Sequence, residues 1–306
     1  MRYAREFARW AVWLLVPSVV LSAVVTAQTI VGPTDLASRS LQSVVDEVPA
    51  GGILILEAGV YVANVVIDAP IAILGGPDVV LRPEDQSRPA ISVRDTEDVL
   101  IQNLRIDRAG LGFEISGASC SIVGCSIATS EMGVSFVSMG ARVLIIRDCA
   151  LRGKGVGIQT VGIGTALVST CHIEMTGPGI LVGGMTALSA VGCMITRCSD
   201  GIVATFGSDI FLRANILQAN LRSGFRLSEL PAVVTPIANG IVCAIDNRIV
   251  DNIHWGVVYT TGDGGTCGVP DRKIVGAGNT ITGNGYGPVC PADLIPEGFL
   301  QVDESE

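Results

Sequence analysis

Aromatic residues and lysine are scarce in this sequence. Phe, Trp and Tyr make up 5% of the chain, and Lys154 and Lys273 are the only lysines. A helical protein would be rich in Ala, Glu and Lys. The 37 glycines, together with many Val and Ile residues, instead favour short strands joined by tight turns. A basic stripe, the footprint of a nucleic-acid-binding protein, is also lacking, which excludes nucleic acid as a partner.

The N-terminal 27 residues have the pattern of a secretory signal peptide. Arg2, Arg5 and Arg9 precede an uncharged run from 10 to 25, and small residues end at Ala27. The run is shorter than the roughly 20 residues that span a bilayer. We expect cleavage before Gln28, with an uncleaved membrane anchor as the alternative. No second long apolar run follows, so the mature chain is expected to lack a membrane span and to be secreted, periplasmic or cell-surface bound.

Two motifs repeat in phase along the chain with a period near 22 residues. In the first, glycine precedes a β-branched or aromatic residue, at Gly112, Gly133, Gly157, Gly179, Gly201, Gly224 and Gly256. In the second, Cys or Asn stands two residues before Ile or Leu, at Cys125, Cys149, Cys171, Cys193, Asn215, Asn247 and Asn279. Such a period predicts three short strands and three bends per turn of a parallel β-helix, whose turns stack about 4.8 Å apart.

Stacking in register places the Cys and Asn residues of the second motif in one interior ladder. Asn suits a sharp bend because it tolerates left-handed backbone and its amide can bond the turns above and below. Cys is a small apolar substitute that needs no partner. Leucine-rich repeats share the period but require a Leu-dense consensus that is absent.

The ends of the stack need covers, because they expose sheet edges. Helical apolar spacing predicts an N-terminal capping helix over 40–48, followed by a buried strand at 53–56. The predicted organisation is a signal peptide (1–27), a cap with the first strand (28–62), a parallel β-helix (63–285) and a C-terminal tail (286–306). We expect a monomer.

The segment SLQSVVDEVPAGGILILEAGVYV (40–62) resembles the entry segment of the pectin-lyase-like superfamily, and the later N-x-I copies resemble its right-handed β-helix repeats. The resemblance covers roughly 36–285 and implies an all-β, single-stranded right-handed parallel β-helix. It does not imply one activity, because that superfamily includes lyases, hydrolases, esterases, epimerases and members without known catalysis.

The catalytic motifs of the superfamily are missing from this chain. The N-T-D, D-D, G-H-G and R-I-K motifs of polygalacturonase-like hydrolases do not occur, nor does G-Y-Q-D-T or a pectate-lyase-like calcium cluster with its Arg base. Column alignment of the repeats brings no two acidic residues together in adjacent turns, as glycoside hydrolysis would require. It aligns Asp200 with Arg222, which we interpret as a surface ion pair.

The remaining cluster lies in the 32-residue copy at 225–256, whose extra length predicts a loop from Leu230 to Gly240. Acid–base chemistry or sugar stacking there would use the following residues. The catalytic candidates are Asp246, Arg248, Asp251 and His254, and the carbohydrate-binding candidates are Trp255 and Tyr259. The competing explanation is structural: the Asp side chains would form turns, Arg248 would be solvated, and the aromatic residues would cover the end of the core. His172 is expected to be an ordinary outward-facing residue.

The nine cysteines follow the repeat and lack C-x2-C spacing, so we predict no metal site. Export would permit disulfides. Cys267 and Cys290 lie outside the ladder in loop-rich sequence, and we expect a bridge between them.

Two functions stay open. The first is a non-catalytic β-helix that presents its flat faces to polysaccharide or to a cell-surface protein. The second is a carbohydrate-active lyase or hydrolase with a site near the 225–260 loop. No cofactor is expected, although a lyase would call for calcium.

Overall fold

The protein is a stack of parallel strands, as the repeat predicts. The computed structural model describes residues 27–205, 207–228, 240–260, 267 and 274–300. Every pairing between named strands is parallel and joins consecutive turns. The predicted right-handed parallel β-helix, with turns of about 22 residues, is confirmed. The signal peptide, most of the predicted 230–240 loop and residues 301–306 lie outside the described residues.

Three parallel sheets surround the core, and three long strands run round a corner from one sheet to the next. The first sheet contains β1 (Gln28–Val31), β2 (Ile53–Leu56), β5 (Ala72–Leu74), β8 (Val99–Gln102), β10 (Cys120–Val123), the ends of β11 (Ser126–Arg147) and β13 (Val156–Ser169), β16 (Ala187–Val191), β19 (Ile210–Arg213), β22 (Val242–Ile245) and β25 (Ile274–Ala277).

The second sheet contains β3 (Gly59–Val62), β6 (Val79–Arg82), the starts of β9 (Arg105–Ser116) and β11, β12 (Ala150–Gly153), β14 (His172–Met175), β17 (Met194–Thr196), β20 (Ile216–Gln218), β23 (Arg248–Val250) and β26 (Thr280–Thr282).

The third sheet contains β4 (Val65–Ile67), β7 (Ile91–Arg94), the middle parts of β9 and β11, the start of β13, β15 (Ile180–Val182), β18 (Ile202–Thr205), β21 (Phe225–Ser228), β24 (Trp255–Thr260) and β27 (Gly287–Cys290).

A short helix, α1 (Leu41–Glu47), covers the N-terminal end of the core. The Ser40 hydroxyl caps it by accepting a bond from the Ser43 N–H at 3.1 Å. The Gln42 side-chain amide bonds both the N–H and the carbonyl of Val66, so it replaces the strand that the edge of β4 lacks. The predicted strand at 53–56 is present as β2, in which Leu54 and Leu56 are buried while Ile53 and Ile55 are half-buried. Two 3-10 helices, Pro33–Ala37 and Ala292–Leu294, complete the helical content that the structure describes.

The chain bends at the residue before each ladder position, and not at the ladder residue itself as expected. Left-handed backbone belongs to the residue before each ladder position, such as Thr170, Ala214 and Asp246, and the ladder asparagines are not left-handed. The asparagine amides instead bond along the stack, as when the Asn247 Oδ1 accepts from the backbone N–H of Asn215 at 3.0 Å. The ladder cysteines do have partners: the Cys149 Sγ lies 3.2 Å from the Arg147 carbonyl oxygen.

A second ladder stands five residues after the first, at Cys198, Asn220, Asn252 and Asn284. Sequence reasoning placed Cys198 at another bend but did not extend the column to these asparagines. The recurring five-residue step from one Asn to the next was the available signal. The two ladders flank the last four strands of the second sheet, β17, β20, β23 and β26, and fix both ends of each.

The repeated glycines mark a close approach between turns. A Cβ on Gly157 would lie 2.4 Å from the carbonyl oxygen of Gly179 in the next turn. A side chain at this position would therefore push the turns apart, which explains the first motif.

Candidate functional site

A shallow, open depression of about 480 Å³ lies on the outer face of the second sheet. Its residues come from four consecutive turns, because strands β12, β14, β17 and β20 lie side by side there. The depression is lined by Arg152, His172, Glu174, Met194, Thr196, Arg197, Gln218 and Ala219. A second depression of about 440 Å³ shares Arg152, Glu174 and Arg197. Sequence reasoning treated His172 as an ordinary exposed residue and did not identify the others.

Glu174 stands between two guanidinium groups. It pairs in register with Arg152 of the preceding turn, and its Oε1 accepts a bond from the Nη1 of Arg197 at 2.8 Å. The hydrogen bond from Arg197 lowers the pKa of Glu174, so the carboxylate is ionised at neutral pH. Two cations therefore face one anion.

Arg152 is exposed and has no ion pair within the part of the chain that the structure describes. A guanidinium presents planar donors that match the oxygens of a carboxylate. The chain without residues 1–27 has a formal net charge of −11, so this positive site contrasts with the rest of the protein. The arrangement suits weak binding of an anionic group.

The predicted catalytic candidates are spread over β23 and the corners on either side of it. Asp246 and Asp251 both occupy left-handed corner positions, with φ of 54° and 57°. The Asp251 Oδ2 also accepts a bond from the Gln218 Nε2 at 3.0 Å. Arg248 is an exposed residue of β23, between Ile216 and Thr280. These positions match the competing explanation of turn formation and solvation.

The predicted sugar-binding pair does not share an exposed surface, although both residues belong to β24. Tyr259 is fully buried, which is a correction: its ring cannot stack on a ligand. Trp255 is half-buried, and its ring meets Tyr286 edge-on at a centroid distance of 6.1 Å. His254 stacks on Tyr286 with centroids 4.6 Å apart and planes 5° apart. Sequence reasoning missed Tyr286. It stands 32 residues after His254, which is the length of the copy at 225–256, so this spacing was the available signal.

Asp200 is the second correction. Its side chain is fully buried, whereas column alignment predicted a surface ion pair. The Asp200 Oδ2 lies 3.2 Å from the Nη2 of Arg226 and 3.8 Å from the Nη1 of Arg222. Burial lowers the pKa of Arg226, and the Asp200 carboxylate opposes that shift. This cluster anchors the corner that carries His254.

The cysteines divide as their spacing suggests. Six free thiols are buried: Cys120, Cys125, Cys149, Cys171, Cys193 and Cys198. Cys243 is half-buried. Cys267 and Cys290 form a disulfide with a Cα–Cα distance of 5.9 Å.

Among the described residues, no group of three or more His, Cys, Asp or Glu side chains is arranged to hold a metal ion. No helix in the described ranges is long and apolar enough to cross a membrane.

The comparisons with known proteins support the fold. A family model described as "Right handed beta helix region" matches residues 81–190. Pectate lyase Pel9A has a TM-score of 0.62 at 12% identity, over 91% of this chain and 82% of that one. ORF18 of Geobacillus virus E2 has a TM-score of 0.59 at 12% identity, over 85% of this chain and 59% of that one.

An alginate lyase from Paenibacillus sp. str. FPU-7 has a TM-score of 0.51 at 14% identity, over 90% of this chain and 99% of that one. A search of curated protein sequences finds no match. The family match and the shared architecture agree with the three-sheet stack described above: this chain is a right-handed parallel β-helix protein, with the fold of pectate-lyase-like proteins.

Proposed function

We propose that this chain is an exported, non-catalytic β-helix module that binds acidic polysaccharide on the outer face of its second sheet. The observation that carries the proposal is the pair of guanidinium groups flanking Glu174, with Arg152 left without an ion pair among the described residues. A flat, open face suits an extended polymer better than a small molecule, which needs an enclosing pocket. The similar solved structures include enzymes named for pectate and alginate, both acidic polysaccharides.

The non-catalytic part of the proposal rests on the positions of the catalytic and sugar-binding candidates in the structure. Asp246 and Asp251 serve corners of the solenoid, and Tyr259 belongs to the core. A lyase or hydrolase acting near the 225–260 loop is the alternative, and part of that loop lies outside the described residues. It predicts that Asp251→Ala and His254→Ala abolish product release while the fold is kept.

A polysaccharide screen tests the proposal. The purified chain is offered a panel of acidic and neutral polymers, with and without calcium, and both retention and product release are recorded. We expect retention of an acidic polymer without release. Release from any polymer would contradict the non-catalytic proposal. Retention of neither class would favour a protein partner at the cell surface.

Variants of the depression give the sharper test. The double substitution Arg152→Ala and Arg197→Ala should weaken binding of the acidic polymer about tenfold, since charge-assisted bonds are lost. Glu174→Gln should strengthen binding, because it removes the carboxylate that competes for Arg197. The control pair Arg88→Ala and Arg213→Ala makes the same charge change at exposed positions away from the depression and should have no effect. Equal affinities for Glu174→Gln and the double variant would refute this site.

Export is a separate part of the proposal. It is supported by the N-terminal signal pattern and agrees with a disulfide between Cys267 and Cys290, since disulfides persist in oxidising compartments. N-terminal sequencing of the protein recovered outside the cytoplasm should find Gln28 first. A chain beginning at Met1 would support the uncleaved anchor.

A further inference from the structure

We infer that Tyr286, His254 and Trp255 form a second sugar-binding site, which takes the apolar face of an uncharged pyranose ring. These three residues are called the aromatic platform below. The inference goes beyond the proposed function, because the platform lies on later turns of the solenoid, at the corner between the second and third sheets, and uses stacking rather than charge.

Backbone hydrogen bonds place Arg222 and the platform residues His254 and Tyr286 on successive turns. The N–H of His254 donates to the Arg222 carbonyl at 2.8 Å, and the N–H of Tyr286 donates to the His254 carbonyl at 2.9 Å. Their planar side chains therefore follow one another along the solenoid axis. The imidazole and phenol rings are stacked with planes 5° apart.

Tyr286 is the last of these planar groups along the chain, and it is 62% exposed. The other tyrosines that the structure describes, Tyr61 and Tyr259, are fully buried. One face of the Tyr286 ring is occupied by His254, and the edge contact with Trp255 fixes its orientation. A ring held rigidly in this way loses little side-chain entropy when a ligand stacks on it. An apolar, planar surface with polar groups at its edge is the arrangement that sugar rings need.

Arg222 lies at the start of the stack, one turn before His254 and two turns before Tyr286. Its guanidinium is 40% exposed and ion-paired with Asp200, whose buried carboxylate also meets Arg226. The Asp200 Oδ1 additionally accepts a bond from the Ser223 N–H at 3.3 Å. The corner that carries the stacked rings is therefore held in place. A sugar on the free face of the Tyr286 ring is separated from these guanidinium groups by His254, so an uncharged ring suits the surface better than a carboxylated one.

Trp255 provides a reporter at the site, because it is the only tryptophan in residues 28–306. The mature chain is titrated with neutral oligosaccharides of glucose, mannose, xylose and N-acetylglucosamine, and tryptophan fluorescence is recorded at low and high salt. We expect at least one series to change the fluorescence, with an affinity that salt leaves nearly constant.

Substitutions separate stacking from hydrogen bonding. Tyr286→Ala should weaken binding about fivefold, as expected from the loss of one aromatic contact of roughly 1 kcal/mol. Tyr286→Phe keeps the ring and should stay within about twofold of the original affinity. Met139→Ala, at a residue that is 83% exposed and lies outside the platform, is the matched control. Thermal unfolding followed by circular dichroism verifies that each variant is folded.

The inference is overturned if no neutral series binds, or if Tyr286→Ala binds as tightly as the original chain. It is also overturned if the affinity falls with salt in the way expected of charge pairing. The double variant at Arg152 and Arg197 distinguishes the two sites. It should bind acidic polymer more weakly and keep its affinity for neutral oligosaccharide, whereas Tyr286→Ala should do the reverse.

Discussion

The asparagine ladder should dominate the stability of the C-terminal turns, and Asn247→Ala is the substitution that tests it. Asn247 is 2% exposed. Its Oδ1 accepts from the backbone N–H and the Nδ2 of Asn215, at 3.0 and 2.9 Å. Its Nδ2 donates to the Leu212 carbonyl and to the Asn279 Oδ1, both at 3.0 Å. One side chain thus joins three turns.

The magnitude follows from the groups that lose a partner. The Asn215 N–H would be buried without an acceptor, which costs about 1–3 kcal/mol. The other amide bonds contribute about 1 kcal/mol each, although Asn215 and Asn279 keep further partners. We expect Asn247→Ala to lower the free energy of unfolding by about 3–5 kcal/mol, which is a large share of the 5–15 kcal/mol typical of native proteins.

Two companion variants sharpen the test. Asn247→Cys should cost roughly half as much, because a ladder thiol accepts weakly from the turn before, as the Cys149 Sγ does from the Cys125 N–H at 3.4 Å. Arg248→Ala changes the neighbouring exposed residue and should stay within about 0.5 kcal/mol. Because Arg248 is one of the catalytic candidates, the same variant can also be assayed for product release.

Urea unfolding measures the three values, with circular dichroism and Trp255 fluorescence as independent probes. Coincident transitions are required, because repeat proteins can unfold in parts. A loss below about 1 kcal/mol for Asn247→Ala, with an unchanged denaturant slope, would refute the reasoning that the amides carry the stack.

Two further predictions concern buried groups. Asp200→Ala should lower the free energy of unfolding by about 3–5 kcal/mol, because it leaves the Arg226 guanidinium buried without its carboxylate. Adding Arg226→Met should restore most of that loss, and a purely additive double variant in urea unfolding would contradict the pairing. The thiols should react with Ellman's reagent only at half-buried Cys243 in the folded protein, and at all seven free cysteines after unfolding. Burial raises the pKa of Cys120 to about 12, which suppresses its thiolate, so two or more reactive thiols in the folded state would show that the core opens.

The sequence by itself determined the architecture, because in-register stacking makes the fold nearly one-dimensional. Residues one period apart become neighbours, so the steps between Cys149, Cys171 and Cys193 were enough to predict both the solenoid and an interior column. Alternation within each copy then assigned Ile173 and Ile195 to the core, where they are fully buried. The N-terminal helix followed equally from local apolar spacing.

Only the tertiary structure decided which outward groups meet. The step from Cys198 to Asn220 is 22 residues, but the step from Gly201 to Gly224 is 23, so that corner gains one residue. At this corner the Ser223 N–H of the longer turn bonds the Asp200 Oδ1, and Asp200 is buried although its column suggested a surface pair. The period predicts which residues are neighbours along the solenoid axis, but it does not predict the backbone conformation at each corner. The depression around Glu174 and the stack of His254 on Tyr286 depend on those corners, and therefore on the folded chain.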